Sequence, residues 1–375
     1  MLPQRSISFI TSNLSASSGG PTWAVLKLSR EFSRNGYKVD VYSFGNYLQE
    51  KKELVHSVQD SCEAGVNFNL RYSKIGNRYG MFGLFSYISY FRKALSSDFI
   101  ILNYIYSLPV FAAAILIGNR NANKVFVLPH GSLNREEFIR FEILKSFYAY
   151  FLFKCTNFSK FRFVFASKRE CEKFLSFKTI QSFVIPFGIE TINPKFDNIA
   201  STKLQLVFIG RLDPIKNVPN LFEAISLLAK DYPHITLAIV GSGNSEYVVH
   251  LKNLTIELKI ANRVKFYGWL DDKDKHRVLA DSELLVLPSI SENFGVVILE
   301  AASQGVPCAI TKFVGLAEEV TLADIGSVAN GSDTLSLVEG IGRAILEKDR
   351  YSQNCGNFVA AHSWGSIMRK WEKVL

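Results

Sequence analysis

The sequence has few cysteines, and none of them forms a pair at the spacing that a zinc site or a redox motif uses. Their number is odd, and no CxxC pair occurs among Cys62, Cys155, Cys171, Cys308 and Cys355. Disulfide frameworks need paired cysteines in an oxidising compartment, and zinc sites need closely spaced ligands. We therefore expect free thiols and a cytoplasmic location, and no signal peptide is evident before the first strand-like run.

The sequence also lacks internal repeats, low-complexity tracts and an uninterrupted apolar run of membrane length. The nearest to such a run is 99–118, FIILNYIYSLPVFAAAILIG, in which polar residues and a proline interrupt the apolar ones. A membrane span needs about 20 predominantly apolar residues. The pattern favours a buried parallel strand at 99–105 and a proline-started helix at 109–117, with a membrane-spanning helix as the alternative.

The length of the chain indicates the number of domains, and its net charge indicates the kind of partner it binds. The chain has 375 residues, of which 48% are hydrophobic and 21% charged, so two domains with full cores are expected. The formal net charge of +9 favours an anionic partner, such as a nucleotide, a nucleic acid or an anionic membrane surface. Charge alone does not choose among these three.

The beginning of the chain is typical of an open parallel sheet. A strand at 6–11 is followed by a Ser/Gly-rich loop at 12–20, a helix that opens at Pro21 and a second strand at 37–44. In such α/β folds the ligand loops follow the carboxyl ends of the strands. The loop lacks the full GxGxxG spacing, so it indicates a dinucleotide site only weakly.

A histidine stands at the end of another predicted strand. The apolar run 125–128 ends in Pro129-His130-Gly131. Open parallel sheets place active-site groups at this edge, which makes His130 a candidate catalytic residue. The alternative is a structural histidine in a loop.

The most aromatic part of the chain, residues 138–165, has basic residues interleaved with its rings. Segment 71–93 shows the same mixture. Core packing is the leading interpretation of the aromatic residues, and docking to an anionic membrane is the alternative. No RNA-binding motif accompanies either segment.

A polar stretch at 191–202 predicts the linker between two domains, because it contains Pro194 and no hydrophobic periodicity. A second α/β series follows it, with strands expected at 206–209, 236–240, 264–267, 284–287 and 307–310. We expect a loop after the last of these, then helices near 334–346 and 366–375.

Two loops of this second series carry charged residues that suit a nucleotide sugar. The loop 210–217, GRLDPIKN, follows the first strand and holds Arg211 and Lys216, which can converge on a diphosphate. Both this loop and 288–300 follow strands of one predicted sheet, so they can face one crevice.

The second loop, PSISENFGVVILE, joins a strand to a helix through Gly295. A helix N-terminus offers free N–H groups and a partial positive charge to a phosphate. Glu292 and Glu300 bracket the turn, and carboxylates accept hydrogen bonds from sugar hydroxyls. The alternative is an ordinary strand–turn–helix with two solvated glutamates.

Together these motifs resemble the retaining GT-B glycosyltransferases of the glycosyltransferase family 4 type. The two main matches are Gly210-Arg211-Leu212 with Lys216, and Pro288, Ser289, Glu292, Phe294, Gly295 and Glu300. The supporting matches are Gly19-Gly20, His130-Gly131, Pro186–Ile189 and Gly241-Ser242-Gly243. The resemblance is strongest over 204–311, and it departs from the family at Phe187, where Asn is common, and at Asn217, where Gly is frequent.

The resemblance implies an α/β fold of two Rossmann-like domains with a donor crevice between them. Residues 1–190, joined by a C-terminal helix at about 362–375, would form the acceptor-binding domain, and 203–361 would bind the nucleotide sugar. His130, Glu292, Arg211 and Lys216 would be catalytic, with His130 towards the sugar and acceptor. The donor-binding set would be Gly20, Gly210, Arg211, Lys216, Gly241, Glu292, Asn293, Phe294, Gly295 and Glu300, in which Glu300 holds the ribose.

The chemistry expected from these residues needs no cofactor and no metal. Negative charge grows on the leaving diphosphate, and Arg211, Lys216 and the helix N-terminus can stabilise it. A DxD-like run, Asp272-Lys273-Asp274, suggests a metal site as an alternative, but aspartates that cap the helix predicted to follow explain it better.

The expected substrates are a UDP- or GDP-sugar and a lipid-linked oligosaccharide, in lipopolysaccharide, O-antigen or other surface polysaccharide biosynthesis. The protein would work at the inner face of the plasma membrane, with peripheral association with anionic lipid and no nucleic acid partner. Two alternatives stay open. One is another nucleotide-sugar enzyme of similar fold, such as an epimerase or a glycan phosphorylase, and the other is a non-catalytic protein with two α/β domains.

Overall fold

The computed structural model describes residues 4–11, 20–43, 68–72, 91–117, 119–131, 142–175, 180–190 and 204–375. The predicted loop at 12–19, most of the basic aromatic segment 71–93 and the predicted linker at 191–202 lie outside these residues. The chain divides into two compact units. The first comprises Met1–Phe187 and Ile367–Leu375, and the second comprises Gly188–Ser366.

The first unit is built on a parallel sheet of seven strands in the order β3-β2-β1-β4-β5-β6-β7. The strands are β1 (Ser6–Thr11), β2 (Lys38–Ser43), β3 (Phe68–Tyr72), β4 (Phe99–Asn103), β5 (Val125–Leu128), β6 (Arg162–Phe165) and β7 (Gln181–Val184). Strands β1, β4 and β5 are central and almost wholly buried, as continuous apolar runs in parallel sheets are.

The helices of the first unit follow the strands. They are α1 (Gly20–Arg34), α2 (Leu108–Leu116), α3 (Glu142–Cys155) and α4 (Lys168–Leu175). Helix α2 begins one residue before the predicted Pro109, because the Ser107 hydroxyl caps it by accepting a hydrogen bond from the Val110 N–H. Among the described residues, none of the helices combines the length and the hydrophobicity of a membrane span.

Five of the nine aromatic residues that the structure describes in segment 138–165 pack in the core, as the leading interpretation predicted. Phe153, Phe158, Phe161, Phe163 and Phe165 are buried in one cluster and stack or meet edge to face. A smaller set stays exposed on α3. Phe138 and Phe141 lie outside the described residues.

The second unit contains a parallel sheet of six strands in the order β10-β9-β8-β11-β12-β13. The strands are β8 (Leu204–Ile209), β9 (Ile235–Val240), β10 (Val264–Gly268), β11 (Leu284–Leu287), β12 (Cys308–Thr311) and β13 (Gly326–Ala329). The order reverses between β8 and β11, which makes their carboxyl ends the switch point where open α/β sheets bind ligands.

Helices follow each strand of the second unit along the chain. They are α5 (Val218–Leu228), α6 (Ser245–Glu257), α7 (Asp272–Ala280), α8 (Val296–Ser303), α9 (Ala317–Leu322), α10 (Thr334–Leu346) and α11 (Lys348–Ala361). The last helix, α12 (Trp364–Glu372), begins in the second unit and continues into the first, to which Ile367–Leu375 belong. We expected a loop between β12 and the helix at 334–346. This prediction is wrong in part, because the segment contains α9 and β13. Helix α11 was not predicted.

The end of the chain packs into the first unit. The Trp371 side chain is 2% exposed, and its ring meets Phe32 and Phe126 edge to face at 5.5 and 5.8 Å between centroids. Arg162 donates from Nη1 to the Val374 carbonyl at 2.7 Å. The last residues therefore complete a core that begins more than 300 residues earlier in the chain.

Replacing Trp371 by alanine should lower the free energy of unfolding of the first unit by about 3–5 kcal/mol, because it leaves a cavity among aromatic rings. Calorimetric unfolding would measure this as a lower transition temperature. Trp269 is 68% exposed, so W269A is the matched control and should change stability by less than about 0.5 kcal/mol. Equal effects of the two variants would contradict the packing described here.

Candidate functional site

Two charged side chains meet at the switch point of the second sheet. Lys216, after β8, forms an ion pair with Glu292, after β11, and both side chains are largely buried. The backbone holds the two loops together, because the Ile290 N–H donates to the Ile215 carbonyl at 2.9 Å. The order of the strands and this backbone hydrogen bond therefore bring Lys216 and Glu292 together.

The loop after β8 is locally constrained. Asp213 caps its short 3₁₀ turn by accepting from the Ile215 N–H at 3.2 Å. Asn217 follows with φ of 57°, a left-handed conformation that glycine and asparagine adopt most readily. Its side-chain amide donates to the carbonyls of Pro288 and Ser332, at 3.1 and 2.6 Å. The departure from glycine at this position therefore adds two hydrogen bonds while keeping the backbone shape.

The neighbouring loop after β9 requires glycine. Gly241 has φ of 135°, and a Cβ atom there would lie 1.9 Å from the Gly210 carbonyl oxygen. The Leu212 N–H donates to the Ser242 carbonyl at 2.8 Å, which joins the two loops in backbone register. Gly210 and Gly241 thus allow the loops after β8 and β9 to touch.

Helix α8 presents its N-terminus to the same edge. Gly295 is its N-cap residue, with φ of 92°, and no described side chain caps it. The preceding loop is fastened to the segment after β12, where the Gly315 N–H donates to the Glu292 carbonyl at 2.9 Å. The Phe294 side chain is 2% exposed, so this residue offers only its backbone to a ligand.

Glu300 lies on α8 and is held by a lysine that the sequence did not single out. Lys275, on α7, contacts Glu300 Oε1 and Asp272 Oδ1, each at 2.9 Å from Nζ. Burial alone would lower the pKa of Lys275, but the carboxylates of Glu300 and Asp272 outweigh it and raise the pKa. Lys275 is therefore a cation next to Glu300 at all ordinary pH values.

The DxD-like run is accounted for by helix capping and pairing. Asp271 accepts from the Asp274 N–H at 2.8 Å and caps α7. Asp272 pairs with Lys275, and Asp274 lies 3.7 Å from Arg277. Aspartates in the first turn of a helix are stabilised by its dipole.

Arg211 is the most exposed of the predicted site residues in the second unit. Its guanidinium lies 3.5 Å from Asp213, and its side chain is 68% exposed. Because the pair is open to solvent, it contributes little to stability. The side chain can therefore leave Asp213 for another anion at low cost.

His130 lies in the first unit, at the end of β5. Its Nε2 is 3.2 Å from Asn103 Oδ1, and its ring stacks on Phe187 at 5.8 Å between centroids. Desolvation lowers the pKa of His130 to about 4, so the ring is neutral at pH 7. Phe187, noted as a departure from the family pattern, thus provides one wall of the histidine site.

The structure groups the predicted residues in two places. Nine of them lie around the switch point of the second unit: Gly210, Arg211, Lys216, Gly241, Glu292, Asn293, Phe294, Gly295 and Glu300. His130 and Gly20 belong to the first unit, where Gly20 begins α1. Sequence reasoning missed Lys275 and Asn103 as site residues, because neither belongs to a spaced motif and each acts through a long-range contact.

Comparison with known proteins supports the glycosyltransferase interpretation of the second unit. Residues 190–360 match the family described as "Glycosyl transferases group 1". A D-inositol 3-phosphate glycosyltransferase of Corynebacterium diphtheriae is 26% identical over 177 residues, which cover 45% of this chain and 41% of the relative. A glycogen synthase of Mycobacterium tuberculosis is 30% identical over 149 residues, 40% of this chain and 35% of the relative. The chain spans less than half of the length of these curated relatives.

Solved structures match the whole chain. The sucrose-phosphate synthase of Thermosynechococcus elongatus has a TM-score of 0.77 at 19% identity and covers 99% of this chain and 98% of its own. Anabaena HepE in complex with UDP has a TM-score of 0.74 at 17% identity, covering 98% of each chain. WaaG, a glycosyltransferase involved in lipopolysaccharide biosynthesis, has a TM-score of 0.70 at 15% identity and covers 98% of this chain and 99% of its own. The predicted α/β GT-B fold is therefore confirmed.

The lowered pKa of His130 predicts a pH-dependent stability. Between pH 6.5 and about 4 the unfolded chain binds a proton at this histidine and the folded chain does not, so stability falls as pH drops. The slope for one proton is about 1.4 kcal/mol per pH unit. H130Q should remove this part of the dependence, measured by denaturant unfolding across this range. H250Q, the same change at an exposed position, is the control, and an equal effect would contradict the assignment.

Proposed function

We propose that the protein is a glycosyltransferase that moves a sugar from a nucleotide-diphosphate sugar to an acceptor hydroxyl, with retention of anomeric configuration. The observation that carries the proposal is the Lys216–Glu292 ion pair beside the N-terminus of α8. A cation, a helix N-terminus and a carboxylate are the groups that a diphosphate and an attached sugar require side by side. The family match over residues 190–360 supports the same conclusion.

The ion pair gives the donor a defined way to bind. In the proposed complex Lys216 exchanges Glu292 for the diphosphate, and the first-turn N–H groups of α8 contact the same anion. Glu292 is then free to accept hydrogen bonds from hydroxyls of the donor sugar. Exposed Arg211 leaves Asp213 and adds a forked contact to the diphosphate.

The same groups serve the reaction. As the bond between the sugar and the diphosphate breaks, negative charge grows on the leaving phosphate, and fixed positive groups stabilise it. Lys216, Arg211 and the α8 N-terminus supply that charge in our proposal, which assigns no step to a metal or a cofactor. The two glutamates are not a hydrolytic acid–base pair, since Glu300 is proposed to hold the ribose hydroxyls.

The nucleotide is proposed to be UDP or GDP. The UDP complex of HepE and the UDP complex of Staphylococcus aureus TarM share this fold, which makes UDP-sugars the first donors to test. Lys275 contacts Glu300 Oε1 and thereby holds the side chain that is proposed to accept hydrogen bonds from the ribose. His130, neutral and partly buried, is the proposed catalytic residue of the first unit.

The acceptor is proposed to be a lipid-linked oligosaccharide at the inner face of the plasma membrane. Phe147, Tyr150 and Phe151 are 72%, 62% and 45% exposed, and they occupy one face of α3 at helical spacing. Lys154, exposed on the same face one turn further, adds a positive charge. An apolar face flanked by basic residues suits the surface of an anionic membrane.

The exposed aromatic face belongs to a helix, α3, that is anchored to the rest of the first unit. On another side of α3, the Tyr148 hydroxyl donates to the carbonyls of Ile105 and Ser107 at 3.1 and 2.9 Å. The helix is therefore anchored while its aromatic face is left outside. Surface polysaccharide assembly, including lipopolysaccharide or O-antigen, is the process that would use such an acceptor, and WaaG is a protein of this fold involved in lipopolysaccharide biosynthesis.

Two other functions would leave different signatures. A nucleotide-sugar epimerase of similar fold would convert its donor without an acceptor. A non-catalytic protein with two α/β domains would not need Lys216, Glu292 and Arg211 together. Nucleotide release that depends on a lipid-linked acceptor separates the proposed transferase from both.

Lys216→Ala should lower the transfer rate by about 10²–10³-fold, because it removes one fixed charge from the leaving phosphate. The measurement is acceptor-dependent release of UDP or GDP from labelled donors in the presence of EDTA. Lys273→Ala removes the same charge from an exposed position of α7 and is the matched control, with an unchanged rate.

The proposal fails if no sugar nucleotide binds, or if K216A behaves like K273A. Thermal unfolding with a panel of UDP- and GDP-sugars provides the binding arm without any acceptor. A donor at about 100 times its Kd should add roughly 2.7 kcal/mol to the free energy of unfolding. Donor binding without acceptor-dependent release would favour the epimerase or the binding protein.

Phe147→Ser with Phe151→Ser should weaken sedimentation with vesicles of mixed zwitterionic and anionic lipid by at least about tenfold, since two apolar side chains no longer enter the interface. The matched control is Leu335→Ser with Leu346→Ser, two leucines of the second unit that are 68% and 80% exposed. Unchanged vesicle binding by the phenylalanine variant, or equal loss in both, would contradict the membrane face.

A further inference from the structure

The backbone around His130 is held in unusual conformations. His130 has φ of 51°, and Tyr104, at the end of the neighbouring strand β4, has φ of 64°. Residues other than glycine adopt this left-handed region in only a few per cent of cases, and such residues cluster at functional sites. The two rings also touch, at 5.4 Å between centroids.

A buried asparagine fixes which nitrogen of the ring carries the proton. Asn103 is fully buried, and its Nδ2 donates to the Ile10 carbonyl at 3.5 Å. Because that carbonyl can only accept, the amide is oriented with Oδ1 on the opposite side, 3.2 Å from Nε2 of His130. An amide oxygen also only accepts, so Nε2 must be the nitrogen that donates.

The backbone turn at His130 and Gly131 is fixed by contacts other than those that fix the imidazole ring. Glu170, which is 5% exposed, accepts from the Gly131 N–H at 2.7 Å and from the Ala166 N–H at 2.9 Å. Its own N–H is bonded to the Ser167 hydroxyl at 3.2 Å, at the start of α4. The residues that cap α4 thus also secure the peptide that follows His130.

The ring plane is confined as well. Phe187 is stacked on the imidazole with 9° between the planes, and Tyr104 lies against it at a tilt. With Nε2 bonded to Asn103, rotation of the ring would break a buried hydrogen bond and the stacking together. Nδ1 has no hydrogen-bond partner within the part of the chain that the structure describes.

We propose that Asn103 is a positioning residue that holds His130 as the Nε2–H tautomer and thereby presents Nδ1 as a hydrogen-bond acceptor for a substrate hydroxyl. The hydroxyl belongs to the donor sugar or to the acceptor, and this part rests on the proposed function. Burial, which keeps the ring neutral, agrees with the assignment, since a protonated Nδ1 accepts nothing.

The tautomer is measured directly by long-range ¹H–¹⁵N correlation on the ¹⁵N-labelled full chain, with H130Q to identify the signals of this ring. We expect Nδ1 unprotonated and a slowly exchanging Nε2–H proton. A wild-type spectrum that shows Nδ1 protonated, in either the other tautomer or the cation, overturns the proposal without any variant at Asn103.

Three variants then test the asparagine. N103L removes the acceptor and should bring the Nε2–H proton into fast exchange, while N103D keeps an acceptor oxygen and should retain the slow signal. N157L is the matched control, because Asn157 also donates to a backbone carbonyl of the first unit, that of Ile117, away from His130. A slow signal retained in N103L contradicts the proposal, as does its loss in N157L.

Kinetics complete the test for an active enzyme. N103L should lower kcat about tenfold with little change in the KM for the donor, and the H130Q/N103L pair should be no slower than H130Q alone. Full additivity of the two changes would contradict a role through His130. The spectra do not depend on turnover, so failure of the proposed function and failure of this assignment are distinguishable.

Discussion

The neighbourhood of Lys216 and Glu292 is the constraint on which the candidate donor site depends. The two residues lie 76 positions apart, and they meet because β8 and β11 are adjacent at the point where the order of the strands reverses. The loops after β9 and β12 are bonded to the same pair of loops through backbone hydrogen bonds, and Gly241 permits an approach that no side chain would allow. A cation, a carboxylate and a helix N-terminus are thereby preorganised before any ligand binds, which is what stabilisation of a leaving phosphate requires.

The first unit also holds a candidate site residue in a fixed position before any ligand binds, but there the residue is a histidine. A neutral histidine is fixed by a buried amide, by a stacked phenylalanine and by a glutamate that holds its turn, and two left-handed residues at adjacent strand ends are kept in place by these contacts. Such strain persists only where the surroundings over-determine the conformation. The two candidate groups therefore differ in electrostatics: Lys216 and Glu292 of the second unit form an ion pair, whereas the ring of His130 in the first unit is uncharged at pH 7.

Much of the architecture was predictable because the strands are continuous apolar runs ended by Gly, Pro or Asn. The bounds of β1, β5, β11 and α10 agree with those expected, and the interrupted run at 99–118 forms β4 and α2. By contrast, β13 reads GSVA, and its extended form comes from pairing with β12. Helix α11 had a usable signal in the helical spacing of its buried residues, hidden by its polar composition. The charged motifs identified the two loops that meet at the switch point, whereas Lys275 and Asn103 depend on contacts between distant segments that no local spacing records.

We propose that the switch point of the second unit binds the diphosphate of a sugar nucleotide. A crystal structure of the protein with UDP would test this. We expect the diphosphate within hydrogen-bond distance of Lys216 Nζ and of the N–H groups that follow Gly295, with the ribose hydroxyls on Glu300 and the Lys216–Glu292 pair broken. UDP bound elsewhere on the molecule, or bound with that ion pair intact and the α8 N-terminus unoccupied, would contradict it.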